Sequence, residues 1–179
     1  MAAGKSTIGR HLASELGVPF VDTDDTIVAR HGPIKDLFTA RGEAGFRAVE
    51  LEAVRSVLDG PPCVIALGGG AVTHAPTREL LQARAIRVYL EIPVESLVAR
   101  LRRSRTVRPL VGPNPTEERV RALLAPREPI YLASDLVVRG PRRSKRAFAV
   151  EIAARLRAHA GAFASAEAER AATANGPMR

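Results

Sequence analysis

Four short apolar runs set the tightest limit on what this chain can fold into: Val18 to Val21, Val64 to Leu67, Arg87 to Ile92 and Leu136 to Val138. Each is separated from the next by sequence with helical periodicity. Strands that alternate with helices in this way cannot all be joined by hairpins. They predict an α/β fold, a parallel sheet with helices on both faces. Val64 to Leu67 is apolar throughout, as a strand covered on both sides requires.

The helical stretches have recognisable ends. Ile8, Leu12 and Leu16 recur at helical spacing after Lys5, and Gly17 stands where a terminating glycine belongs. Residues 34–40 and 45–58 read as two helices, the second with Phe46, Val49, Ala53, Val54 and Val57 on one face. Helices are also predicted over 77–83, over 93–103 with Pro93 at the start, and over 116–124 with Thr116 as the cap. A last helix runs through Phe148, Ile152 and Leu156, and beyond Ala160 the chain, alanine-rich and without a stripe, reads as a frayed tail. Residues 104–115 hold three prolines and a glycine and are expected to form a long surface loop.

A chain of 179 residues, 46% of them hydrophobic, suffices for one core and is cramped for two. Nothing at the N-terminus resembles a signal peptide, and no apolar run reaches the roughly 18 residues of a membrane span. The single cysteine, Cys63, lies in an apolar run and reads as a small core residue, which fits a soluble protein of the reducing cytoplasm. The net charge of +8 suits either nucleic acid or small anions. Aromatic content of 4% leaves little for stacking on single-stranded bases, so no nucleic-acid partner is expected. The basic cluster Arg139, Arg142, Arg143, Lys145 and Arg146 reads as a solvated face.

Gly4-Lys5-Ser6-Thr7, opening a helix, has the form of the second half of a phosphate-binding loop. Backbone N–H groups and the helix dipole hold phosphate oxygens there, the lysine meets the β- and γ-phosphates, and the hydroxyl binds Mg²⁺. Asp22-Thr23-Asp24 follows the next strand, at the sheet edge where ligands of parallel sheets bind, although an ordinary acidic turn or a helix cap also satisfies the pattern. Gly68-Gly69-Gly70, after a buried strand, allows a backbone to approach a ligand closely. Arg47 and Arg127 can each grip a carboxylate, or can be surface residues. His11, His31, His74 and His159 show no metal-ligand spacing.

In order and approximate spacing, Gly4 to Arg10, Asp22-Thr23-Asp24, Gly42-Glu43 with Phe46-Arg47 and Glu50, Leu67 to Val72, Arg108-Pro109-Leu110 and Arg127 to Tyr131 together resemble the shikimate kinases. The resemblance covers residues 1 to about 157. It implies a P-loop NTPase-type fold whose first strand is missing from this sequence, so that the natural chain is expected to extend upstream by an apolar strand and a glycine-containing turn. It implies ATP as co-substrate and Mg²⁺ as cofactor, with Gly4, Lys5, Ser6 and Thr7 on the phosphates and Ser6 and Asp22 on the metal, Asp22 through water. Asp24 would deprotonate the 3-hydroxyl of shikimate. Arg47, Arg127 and the backbone of Gly68, Gly69 and Gly70 would hold the substrate, Glu50 would aim Arg47, and Phe38 and Phe46 would wall the pocket. Arg108 would act from a lid at about 102–116, and Arg100, or else Arg102, would stack on adenine. The expected organisation is a kinase-like domain over 1–159, a disordered tail over 160–179, and a monomer. Two other readings stand beside it: a gluconate kinase-like enzyme, and a non-catalytic ligand-sensing domain of a regulator.

Overall fold

The computed structural model describes residues 3–103, 114–140 and 144–174, with side chains to His159. Helix α1 (Lys5–Leu16) leads to strand β1 (Phe20–Asp22) and then directly to α2 (Thr23–His31). Helix α3 (Ile34–Leu58), β2 (Val64–Ala66), a 3₁₀ turn over Ala71–Thr73 and α4 (Ala75–Arg84) follow. Strand β3 (Val88–Glu91), α5 (Val94–Arg103), α6 (Glu117–Leu124), α7 (Glu128–Leu132), β4 (Leu136–Arg139) and α8 (Lys145–Ala174) complete the order. All four predicted strands form, each within a residue or two of its expected ends.

Both strand pairs are parallel. β1 pairs with β2, with Val21 opposite Ile65, and β3 pairs with β4, with Tyr89 opposite Val137. The expected single sheet is, among the described residues, two such ladders with no hydrogen-bonded strand between them. One continuous layer nonetheless covers both. Val64 of β2, Val88 and Leu90 of β3, and Leu136 and Val138 of β4 belong to one hydrophobic cluster with Ile8 and Leu12 of α1 and Phe148 and Ile152 of α8. Tyr89 lies between Val88 and Leu90 and so points to the opposite face, where its ring stacks on Tyr131 of α7 at 5.1 Å.

Of the two local readings of the acidic residues, turn or helix cap, the structure shows the cap: the Asp22 carboxylate caps α2 by accepting the Asp24 N–H at 3.1 Å, and Asp24 and Asp25 occupy the first turn, where the helix dipole favours negative charge. The last helix does not end near Ala160 but runs to Ala174. The two helices expected over 34–58 form one element bent at Gly42, whose φ of 64° and ψ of −175° break the helical path. That bend brings Phe38 back onto Phe46, with ring centroids 4.4 Å apart.

The β3–β4 ladder is fastened at its start by Asp135. Its carboxylate accepts the Arg87 backbone N–H at 2.7 Å and the guanidinium at 2.9 and 3.1 Å. These bonds hold the Asp135 pKa below 3.8. A depressed carboxylate pKa contributes stability above the unfolded value, and that contribution is lost as pH falls through the folded one. Asp135→Asn is therefore expected to cost about 1 kcal/mol at pH 7. In urea titrations the gap from the wild-type protein should close as pH falls below 3.8; a gap that persists there would refute the charge-based account.

Candidate active site

Helix α1 begins at Gly4 with φ 85° and no side chain capping it. Left-handed backbone of this kind turns the chain sharply into the helix and suits glycine. Two cations border that turn. Arg100 of α5 donates to the Ala3 carbonyl at 3.1 Å, and its Nη1 lies 3.9 Å from where a Cβ on Gly4 would stand. The Lys145 Cε lies 4.0 Å from the same point. Lys145 is thus not merely part of a solvated basic face; it stands at the loop, and nothing in the local sequence signalled this. Arg102 turns elsewhere, donating to the Pro115 carbonyl at 3.3 Å. Arg108, and with it most of the expected lid, lies outside the described residues.

From the loop the site continues through Ser6, whose hydroxyl donates to the Asp22 carboxylate at 2.6 Å. This bond joins the start of α1 to the end of β1, so the loop and the acidic residues share one edge of the fold. Two hard oxygen donors side by side are what Mg²⁺ takes from a protein when phosphates and water complete its shell.

Asp24, one helical step beyond, meets the glycine run. A Cβ on Gly68 would lie 2.8 Å from Asp24 Oδ1 and 2.6 Å from Glu50 Oε1, and one on Gly70 would lie 2.5 Å from Arg47 Nη2. The glycines were expected to admit a ligand to the backbone. Gly68 and Gly70 also do something else: they vacate the space in which Asp24, Glu50 and Arg47 assemble. Thr23, fully buried, completes this joint by accepting the Gly68 N–H at 3.3 Å and donating to the Ala66 carbonyl at 3.2 Å.

Glu50 is 1% exposed and accepts Arg47 Nη1 at 2.6 Å, while Glu43 accepts Nη2 at 3.3 Å. The aiming role expected of Glu50 matches this geometry, and the Arg47 guanidinium also lies 5.4 Å from the Phe46 ring centroid. Burial raises the pKa of Glu50 above 4.5 and the charge of Asp24 raises it further, while the hydrogen bond and charge of Arg47 oppose both. On the other side, Tyr131 donates its hydroxyl to the Gly69 carbonyl at 2.6 Å. Burial raises the pKa of Tyr131, and the charge and hydrogen bond of Arg127 and the charge of Arg47 lower it. Tyr131 has no local sequence signal beyond its place one turn after Arg127.

Ser6, Asp22, Asp24, Glu50, Arg47, the three glycines and Tyr131 are therefore joined by successive contacts into one group, with Arg127 one turn before Tyr131. Among the described residues there is no cluster of three or more His, Cys, Asp or Glu side chains able to hold a metal by themselves. His74 is engaged with Thr77 at 2.9 Å. No helix among the described residues is long and apolar enough to cross a membrane.

The family model described as shikimate kinase matches residues 1–157. A shikimate kinase of Halorhodospira halophila is 46% identical over 140 residues, covering 77% of this chain and 78% of that protein. One from Chromohalobacter salexigens is 46% identical over 154 residues, covering 85% of each. Among solved structures, the shikimate kinase of Acinetobacter baumannii in complex with shikimate superposes with a TM-score of 0.81 at 38% identity, covering 89% of each chain. With Gly4 opening α1, an acidic helix cap beside it and a glycine run in contact with that cap's helix, and with relatives this similar along most of its length, the chain belongs to the shikimate kinase family.

Proposed function

We propose that this protein transfers the γ-phosphoryl group of ATP to the 3-hydroxyl of shikimate, giving shikimate 3-phosphate and ADP on the route to chorismate and the aromatic amino acids. The observation that carries this reading is the meeting of Asp24 and Glu50 at Gly68, with Arg47 bonded to Glu50 and standing at Gly70, next to the Ser6–Asp22 bond at the cap of the helix that carries Asp24. One end of the crevice suits a nucleotide phosphate chain, the other a small polar acid.

In this reading the N–H groups of Gly4, Lys5, Ser6 and Thr7 at the start of α1 hold the phosphates, and the Lys5 ammonium follows the γ-phosphoryl charge. Ser6, and Asp22 through water, would hold Mg²⁺, which would supply positive charge to the nucleotide phosphates. Arg47 and Arg127 bind the shikimate carboxylate, and the backbone of Gly68, Gly69 and Gly70 meets the ring hydroxyls. Asp24 orients the 3-hydroxyl and accepts its proton as the new oxygen–phosphorus bond forms and the bond to the β-phosphate oxygen breaks. Arg100 borders the nucleotide, and Arg108 closes over the transferring group from a lid at about 102–116, excluding water as a competing acceptor. The catalytic unit is taken as residues 1–159, acting as a cytoplasmic monomer.

An assay of ADP release with shikimate, with gluconate and with no acceptor tests the assignment. ADP release that depends on shikimate and on Mg²⁺ is the expected result. Release with gluconate instead would transfer the protein to another acceptor class. Shikimate binding without turnover would favour a sensor.

A further inference from the structure

The three glycines are each pinned by a hydroxyl from a different element. Thr23 at the start of α2 fixes the N–H of Gly68, Tyr131 of α7 fixes the carbonyl of Gly69, and Thr73 donates to the carbonyl of Gly70 at 2.6 Å. The Gly68 carbonyl accepts the Ala71 N–H at 3.2 Å. Among the described residues the Gly69 and Gly70 N–H groups have no protein acceptor. A run of glycine has the softest backbone available, so these external bonds decide which way its peptide planes face.

Tyr131 holds the decisive plane. The Gly69 carbonyl and the Gly70 N–H belong to one rigid trans peptide and point in opposite directions. Drawing the carbonyl toward Tyr131 therefore turns the Gly70 N–H away from it. The Arg47 guanidinium already crowds the Cβ position of Gly70, so this residue borders the crevice. The hydroxyl is itself well anchored. Its ring stacks on Tyr89 of β3 at an interplanar angle of 26°, and the Tyr131 N–H bonds to the Arg127 carbonyl at 3.1 Å. One short helix thus carries a cation for the acceptor's carboxylate and the hydroxyl that sets the glycine backbone.

We propose that Tyr131 is a positioning residue for the acceptor: by holding the Gly69 carbonyl it aims the Gly70 N–H into the crevice and so sets affinity for the hydroxylated ring. This rests on the shikimate reading above. Tyr131→Phe keeps the ring and its stacking and removes only the hydroxyl. Tyr89→Phe alters the stacking partner without touching Gly69 and serves as the control.

Two measurements on the ligand-free protein and its complexes decide the matter. Titration calorimetry with shikimate should show affinity about tenfold weaker in Tyr131→Phe, with ADP affinity unchanged and Tyr89→Phe like the wild-type protein. Amide hydrogen exchange over residues 67–73 of the free protein should be several-fold faster in Tyr131→Phe, the readout of a freed peptide plane. Shikimate affinity within about twofold of wild type would overturn the proposal. So would parallel loss of ADP affinity and melting temperature, the mark of a purely structural tyrosine. If the wild-type protein itself does not bind shikimate, the functional reading fails. Hydrogen exchange then decides the positioning role alone: unchanged exchange at 67–73 overturns it, and faster exchange supports it.

Discussion

Asp24→Asn is expected to lower kcat for shikimate phosphorylation by roughly 10²- to 10⁴-fold, the usual contribution of a positioned proton acceptor. The substitution keeps the shape of the side chain and its fit against Gly68, where the Asp24 carboxylate stands beside Glu50. It removes the negative charge that collects the hydroxyl proton. Nucleotide affinity should be preserved, because the Ser6–Asp22 bond and the Gly4 turn do not involve the Asp24 carboxylate. Stability gives a second readout. The Asp24 charge helps to raise the Glu50 pKa, so its removal lessens a repulsion in the folded protein and should leave stability at pH 7 equal or higher. Steady-state kinetics with ATP affinity measured in parallel check this, and turnover within tenfold of wild type would remove Asp24 from the chemistry.

Arg47→Ala should damage both stability and binding, and the two losses can be separated. Glu50 is almost wholly buried, and its 2.6 Å bond to Arg47 is the main influence favouring its ionised form. Deleting one partner of such a pair typically costs about 3–5 kcal/mol, because the other charge remains buried without compensation. The sign of the pH dependence follows. Without Arg47 the Glu50 pKa rises further above its unfolded value, so the contribution of its neutral form is present in acid and is lost as pH rises through the folded pKa. The stability deficit of Arg47→Ala should therefore widen as pH rises above the ordinary carboxylate range in urea titrations. Adding Glu50→Gln removes the stranded charge and should restore much of that stability. Shikimate affinity should stay at least about tenfold weak in both variants, since the cation for its carboxylate is gone. Recovery of binding in the double variant would show that Arg47 acts only through Glu50.

Legibility varied with how local each signal was. Gly17 after Leu16 and Thr116 before Glu117 mark helix ends because capping is settled within one turn of chain. The apolar periods of α1, α3 and α5 and the runs of β2 and β4 emerge in the structure near their expected bounds for the same reason. Asp22-Thr23-Asp24 was legible as an acidic element at a strand end, either a turn or a helix cap, but which of the two was not. Its capping bond spans only two residues, yet the same pattern also describes an ordinary turn. Within the site, Arg47 and Glu50 lie one turn apart on a helix and could be paired by spacing alone.

The sequence by itself determined the element types, their order, and the residue chemistry available at strand ends and helix starts, because these follow from periodicity and caps a few residues long. The tertiary structure alone decided that Gly68 and Gly70 clear room for side chains of α2 and α3, that Lys145 reaches Gly4, and that Tyr131 bonds to Gly69, 62 positions earlier. Such contacts leave no local trace: packing of α7 against the glycine turn and of α8 against α1 brings these groups together, and neither packing is encoded in any single window of sequence.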